Sequence, residues 1–553
     1  MKRYLSVRGG VGDLTKADTS VRPQDNLYLA VNSAWQKNAT IPADRTEIGV
    51  NTEIDMRIEK RVLADLDELA SKKDKIDVPN LDKAIDLYKL AKNFKKRDAD
   101  GAEPIKKDLR ALESLTSLKE LNKGIKHTNL DEILANPQNL PFSFEVEADM
   151  KNTKVNVLEF AGPGTFLPDT TSYKQADAPK LLTILSEQTI KLLTMAGVNK
   201  KDAREYVKNG LAFDQKLAKV VKSTEEWSDY PACYNPVSYE DFVAEFKTFD
   251  MAAALQKVLP IKPKQIIVME PRFLEHAEEL INENNFAEIK GWMIMSFIND
   301  HAHLLSQAFR EAAFPFNQAL TGQGELAPVN RHAYYIANAS FSEPMGIYYG
   351  KKYLGADAKA DVTDMIHKMI KVYESRIKEN TWLSEATKQK AITKLKALVL
   401  KIGYPDKQEK IYDLLQIDPN KSLYENERNL EKVVVKYNLD QLTQPVDRTV
   451  WLMPGNMNNA CYDPQRNDIT FPAGILQKPF YDIHQSRGQN YGGIGATIAH
   501  EISHAFDNNG AKFDEFGNMK NWWTKEDFAE FNKRTKAAID IYDGLQYGPA
   551  KLN

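Results

Sequence analysis

The sequence predicts a mainly α-helical protein with a smaller α+β part. Three observations carry that expectation. Apolar residues recur with a helical period from about residue 53 to 440. Short β-branched and aromatic runs begin only near residue 433. The composition, 42% hydrophobic and 27% charged, is that of a globular chain and too apolar for a disordered one. With 553 residues, the chain can form about three or four domains or two large lobes, at roughly 150 residues per domain.

Taken in order, residues 1–50 read as loop-rich, with Pro23 and Pro42. The start is basic through Arg8, but Gly9, Gly10 and Gly12 interrupt before a signal peptide's apolar run could form. At residues 81–91, Leu81, Ile85, Tyr88 and Ala91 fall on one helical face, joined by Leu87, and lysines and aspartates on the other. Similar patterns occupy 180–195, 203–221, 274–282, 291–313, 360–378 and 384–400, with prolines between them marking breaks. Residues 433–437, 449–453 and 468–471 read as strands. The change of character divides the chain into a largely helical region, 1–440, and a second region, 441–553.

Composition excludes several functions. Lys plus Arg is 74 and Asp plus Glu is 77, so the net charge is −3, without the basic excess that nucleic-acid binding needs. Two cysteines exclude a disulfide scaffold. No run approaches the roughly 18 apolar residues of a membrane span. A soluble protein of a reducing compartment is expected. The basic cluster at 89–97 reads as a solvated helix end.

The chemistry is concentrated in His500-Glu501-Ile502-Ser503-His504, an H-E-x-x-H pattern. Chance would produce it on the order of once per hundred such chains. On a helix, histidines four apart lie about 40° and 6 Å from each other, so both can reach one ion. Glu501 then flanks that ion, where it can take a proton from an activated water. Ile494, Ile498, Ile502 and Phe506 recur every four residues, which predicts a core-packed helix through the motif. Asn508-Asn509-Gly510 reads as its stop. Gly492-Gly493-Ile494-Gly495 lacks dinucleotide-fingerprint spacing and reads as close helix packing. His301 and His303, two apart, read as surface or core residues, and His127 is isolated. Upstream, Asn459-Ala460-Cys461-Tyr462 follows the strand-like 451–453 run, where an Asn beside a strand edge could serve a peptide backbone.

These segments, with Phe471-Pro472-Ala473-Gly474, Ala505-Phe506-Asp507, Asn521-Trp522-Trp523 and the N-terminal Asn32-Ser33-Ala34-Trp35, resemble the neprilysin family of zinc endopeptidases, family M13. The lack of an anchor and the few cysteines are similar to its bacterial intracellular branch, oligopeptidase O. The resemblance implies a two-lobed zincin with a thermolysin-like site, one zinc per chain and a cytoplasmic location. It implies oligopeptide substrates cut on the amino side of large hydrophobic residues. It makes His500 and His504 the zinc ligands and Glu501 the general base. Asn459 and Ala460 would hold the substrate backbone, and Asp507 would stand behind a ligand.

The pattern also departs from the family. The resemblance implies a third ligand, a glutamate, beyond a segment like Lys551-Leu552-Asn553, so the catalytic region is expected to be incomplete. Glu515, Glu526 and Glu530 are poor substitutes. The alternative function is therefore a catalytically impaired, peptide-binding fragment of such an enzyme.

Overall fold

The computed structural model describes residues 20–71, 77–126, 140–547 and 550–551. The basic N-terminal run and His127 lie outside these residues. Most of the periodic segments fold as helices that bury one apolar face. In Leu81–Lys92 the buried residues include Leu81, Ile85, Tyr88 and Ala91, and Lys89 and Lys92 in the last turn complement the negative end of the helix dipole. Ala178–Met195 follows the expected boundaries closely, and Lys200–Leu217 begins three residues before and ends four residues before the expected 203–221. Phe286–His301 is buried on nearly every side. It meets Lys200–Leu217 at glycines: a Cβ on Gly291 would lie 2.5 Å from the Tyr206 carbonyl oxygen.

A four-stranded sheet flanks this larger core, with strands β1 (Ser143–Asp149), β2 (Asn152–Ala161), β3 (Pro236–Ser238) and β4 (Gln265–Val268) in the order β1-β2-β4-β3. One face packs a phenylalanine cluster in which Phe160 and Phe242 meet edge-on at 4.8 Å.

A second core surrounds a three-stranded sheet, β5 (Val399–Gly403), β6 (Cys461–Asp463) and β7 (Asp468–Pro472). The order is β5-β7-β6, with β5 parallel and β6 antiparallel to β7. Val362, Met365 and Leu395 pack with Ile469, Phe471, Ile494, Ile498 and Ile502. The smaller core thus takes helices Gly355–Glu379 and Glu385–Lys396 from the region before residue 440.

Several sequence expectations are corrected. Residues 433–437 belong to helix Leu423–Asp440, because a Ser422–Glu425 capping box starts that helix and overrides the β preference of three valines. Residues 449–453 form no strand, since Asp447 ties back the Thr449 N–H and hydroxyl, and Leu452 is exposed. Residues 27–38, expected as loop, form a helix that the Asn26 side chain caps. The 274–282 segment splits into Pro271–Glu275 and Ala277–Leu280. The 384–400 segment turns into strand at Val399. Arg97 is buried, not solvated, and bonds the carbonyls of Ala91, His303 and Leu305. Among the described residues, no helix is long and apolar enough to cross a membrane.

Candidate metal centre

The motif helix spans Ile494–Ser503. Ile494, Ile498 and Ile502 are fully buried in the smaller core, so the opposite face is held toward a cavity. Gly493 lets the helix start press on its support, since a Cβ there would lie 2.4 Å from the Phe480 carbonyl oxygen. The α geometry ends earlier than the Asn508-Asn509-Gly510 signal suggests. His504–Phe506 is a 3-10 turn, and the Gly510 backbone lies against the His504 carbonyl with no room for a side chain.

The two imidazoles converge as the spacing predicts. His500 Nε2 and His504 Nε2 are 3.1 Å apart. Asp507 Oδ2 lies 2.7 Å from His504 Nδ1. A proton on that Nδ1 leaves the Nε2 lone pair free. Two nitrogens each at about 2.0–2.1 Å from one ion subtend roughly 100° at this separation, close to tetrahedral. The pair therefore fits as two of the ligands of a zinc ion.

Glu501 is buried beside them. Burial pushes its carboxyl above the usual carboxylate range, while His500, His504 and the Tyr462 N–H pull it back. A cavity of about 630 Å³ opens in front, lined by His500, Glu501, His504, Asp507, Asn459 and Ala460 among others. Val50 of the larger core, Asn51 beside it and the exposed Tyr230 line it as well.

The structure thus brings all six residues singled out from the sequence into one cavity. The strand edge, however, follows Asn459 and Ala460 instead of preceding them. It is β6, at the end of its sheet. The Asn459 side-chain carbonyl accepts the Ala460 N–H at 2.9 Å. His301 is a core residue, with Nδ1 2.7 Å from the Phe297 carbonyl oxygen, and His303 is exposed.

No third ligand joins the histidines among the described residues. Among the described residues, no group of three or more His, Cys, Asp or Glu is placed to hold a metal. Glu515, Glu526 and Glu530 do not line the cavity, and Glu530 pairs with Lys533 and Arg534. Sequence reasoning missed Lys394, a buried lysine bonded to the turn after the motif. No periodic or spacing signal marks it.

A helix-borne HExxH pair beneath an edge strand, in a mainly helical fold, defines a metalloendopeptidase of the zincin class. The chain belongs to peptidase family M13, whose models match residues 23–405 and 459–551. It is 65% identical to the neutral endopeptidase of Lactobacillus helveticus, over 100% of this chain and 85% of that protein. The crystal structure of PepO from Lactobacillus rhamnosis is similar at a TM-score of 0.91 and 36% identity, over 96% of this chain and 84% of that one. The Mycobacterium tuberculosis zinc metalloprotease Zmp1, solved with an inhibitor, is similar at 0.86 and 27% identity, over 98% of this chain and 81% of that one.

Proposed function

We propose that this chain binds one zinc ion through His500 and His504 and hydrolyses internal bonds of oligopeptides on the amino side of large hydrophobic residues. The observation that carries this is the 3.1 Å approach of the two Nε2 atoms beside the buried Glu501. Zinc, when bound, supplies the charge that acidifies water and polarises a scissile carbonyl. Glu501 takes the proton of the attacking water and hands it to the leaving amine. Its burial makes it a stronger base than an exposed carboxylate.

Asn459 and Ala460 hold the substrate backbone, which lies extended along β6. Asp507 fixes the His504 ring through its contact with Nδ1. Residues 441–553 form the catalytic part, with 355–403 completing its core, and 1–440 the largely helical part that closes the cavity. The location proposed is the bacterial cytoplasm.

The absence of a third ligand among the described residues favours one competing reading, a peptide-binding chain without turnover. A fluorogenic peptide assay on the zinc-loaded chain separates the two. The first reading expects chelator-sensitive hydrolysis that Glu501→Gln lowers by roughly 10²–10⁴-fold with zinc retained. Undiminished hydrolysis by that variant rejects Glu501 as the base. Binding of peptide without hydrolysis supports the second reading.

A further inference from the structure

Lys394 sits on helix Glu385–Lys396 and is 1% exposed. Its ammonium donates to three main-chain carbonyls: Ala505 at 2.9 Å, Gly510 at 2.6 Å and Phe513 at 2.7 Å. All three of its protons are thereby engaged. Among the described residues no carboxylate bonds it; Asp507, Asp514 and Glu515 act through space. A buried ammonium without a bonded counter-charge costs stability, so packing alone is a poor account of it.

The bonded carbonyls bracket the turn that carries Asp507. Asp507 Oδ1 accepts the N–H groups of Asn509 and Gly510, at 2.9 and 2.7 Å, and Oδ2 faces His504 Nδ1. Gly510 joins the two systems directly, with its N–H bonded to Asp507 and its carbonyl to Lys394. The lysine is itself anchored, because Asn467 Nδ2 bonds both its carbonyl and that of Glu515.

We infer that Lys394 is a positioning residue of the metal centre: by clamping residues 505–513 it sets Asp507, and through Asp507 the orientation of His504. This rests on the proposed role of His504 as a ligand. Lys394 lies in the first family-matched segment and His504 in the second, so the clamp ties one to the other across the smaller core.

The test compares Lys394→Met with Lys388→Met in the full chain. Lys388 is a buried lysine of the same helix that bonds Glu385. Three quantities are read: the zinc dissociation constant, the thermal midpoint, and the 15N imidazole resonance of His504 in metal-free protein. Lys394→Met is expected to weaken zinc roughly 10–100-fold and to shift the His504 resonance, with both unchanged in Lys388→Met. Wild-type zinc affinity in Lys394→Met, or equal weakening in Lys388→Met, overturns the inference. If Lys394→Met does not fold, Lys394→Arg takes its place. Its planar donors cannot reproduce three converging bonds, and the same weakening is expected; wild-type affinity overturns the inference here too. His504→Ala is measured alongside, and zinc affinity that ignores it refutes the ligand role separately.

Discussion

Two helices, one in each core, put isoleucine to different use. Phe286–His301 buries Ile289, Trp292, Met293, Ile294, Met295, Phe297 and Ile298, which cover almost its full circumference. Ile494–Ser503 buries a single stripe and gives its other side to a cavity lined by His500 and Glu501. The first helix is chiefly a packing element, with polar contacts on one edge, where Asn299 bonds Gln188 and Thr189. Around the second, buried polar groups gather: Lys394, Lys401, Asn467, Asp468 and Thr470 are all under 5% exposed. The contrast teaches that the larger core supplies mass, while the smaller core supplies position.

That contrast can be broken with one substitution made twice. Ile294 and Ile498 are both fully buried, one in each core. Truncating either to alanine is expected to cost about 2–5 kcal/mol of stability. Only Ile498→Ala should also weaken zinc, because it loosens the helix beneath His500 and His504. Denaturant unfolding and a zinc titration check both statements. If Ile294→Ala weakens zinc equally, the two cores act as one unit and the contrast fails.

A smaller effect is expected at Asp507. Asp507→Asn keeps a carbonyl for the Asn509 and Gly510 N–H groups but removes the charge facing His504 Nδ1. Zinc affinity should fall roughly 10–100-fold, about 1.4–2.7 kcal/mol, with little change in the unfolding midpoint. Unchanged affinity would show that the turn geometry alone, without the charge, suffices to orient the ring.

The helical class and the motif were legible in the sequence because each rests on local periodicity. Ile494, Ile498 and Ile502 announce the buried stripe, and His500 and His504 the open face. The 433–437 valines were misread as a strand because the Ser422–Glu425 cap that starts their helix lies eleven residues upstream of Val433. Lys394 was silent because a lysine in a helical pattern normally faces water. Its burial depends on three carbonyls more than a hundred residues away. The Asn459–Ala460 segment was found, but its strand edge was placed on the wrong side, since β6 is only three residues long.

The smallest predicted effect separates the cores by pH. In the sheet of the larger core, Glu159 stands directly opposite Glu145 across β1 and β2. Burial first, then Glu147, Glu145 and Asp149, push its carboxyl up to about 8. The folded chain therefore keeps a proton that the unfolded chain releases near pH 4.3, roughly the ordinary glutamate value. Between those values the unfolded state binds fewer protons, so this group's contribution to stability falls as pH rises and is lost through pH 8. Glu159→Gln removes the ionisation. The variant should match the wild type below about pH 4 and melt roughly one to three degrees higher at pH 8. If the cores unfold as separate units, only the transition that leaves the zinc affinity intact should move. A lower midpoint at pH 8, or an equal rise at both pH values, would show that Glu159 is stabilised by contacts other than its proton.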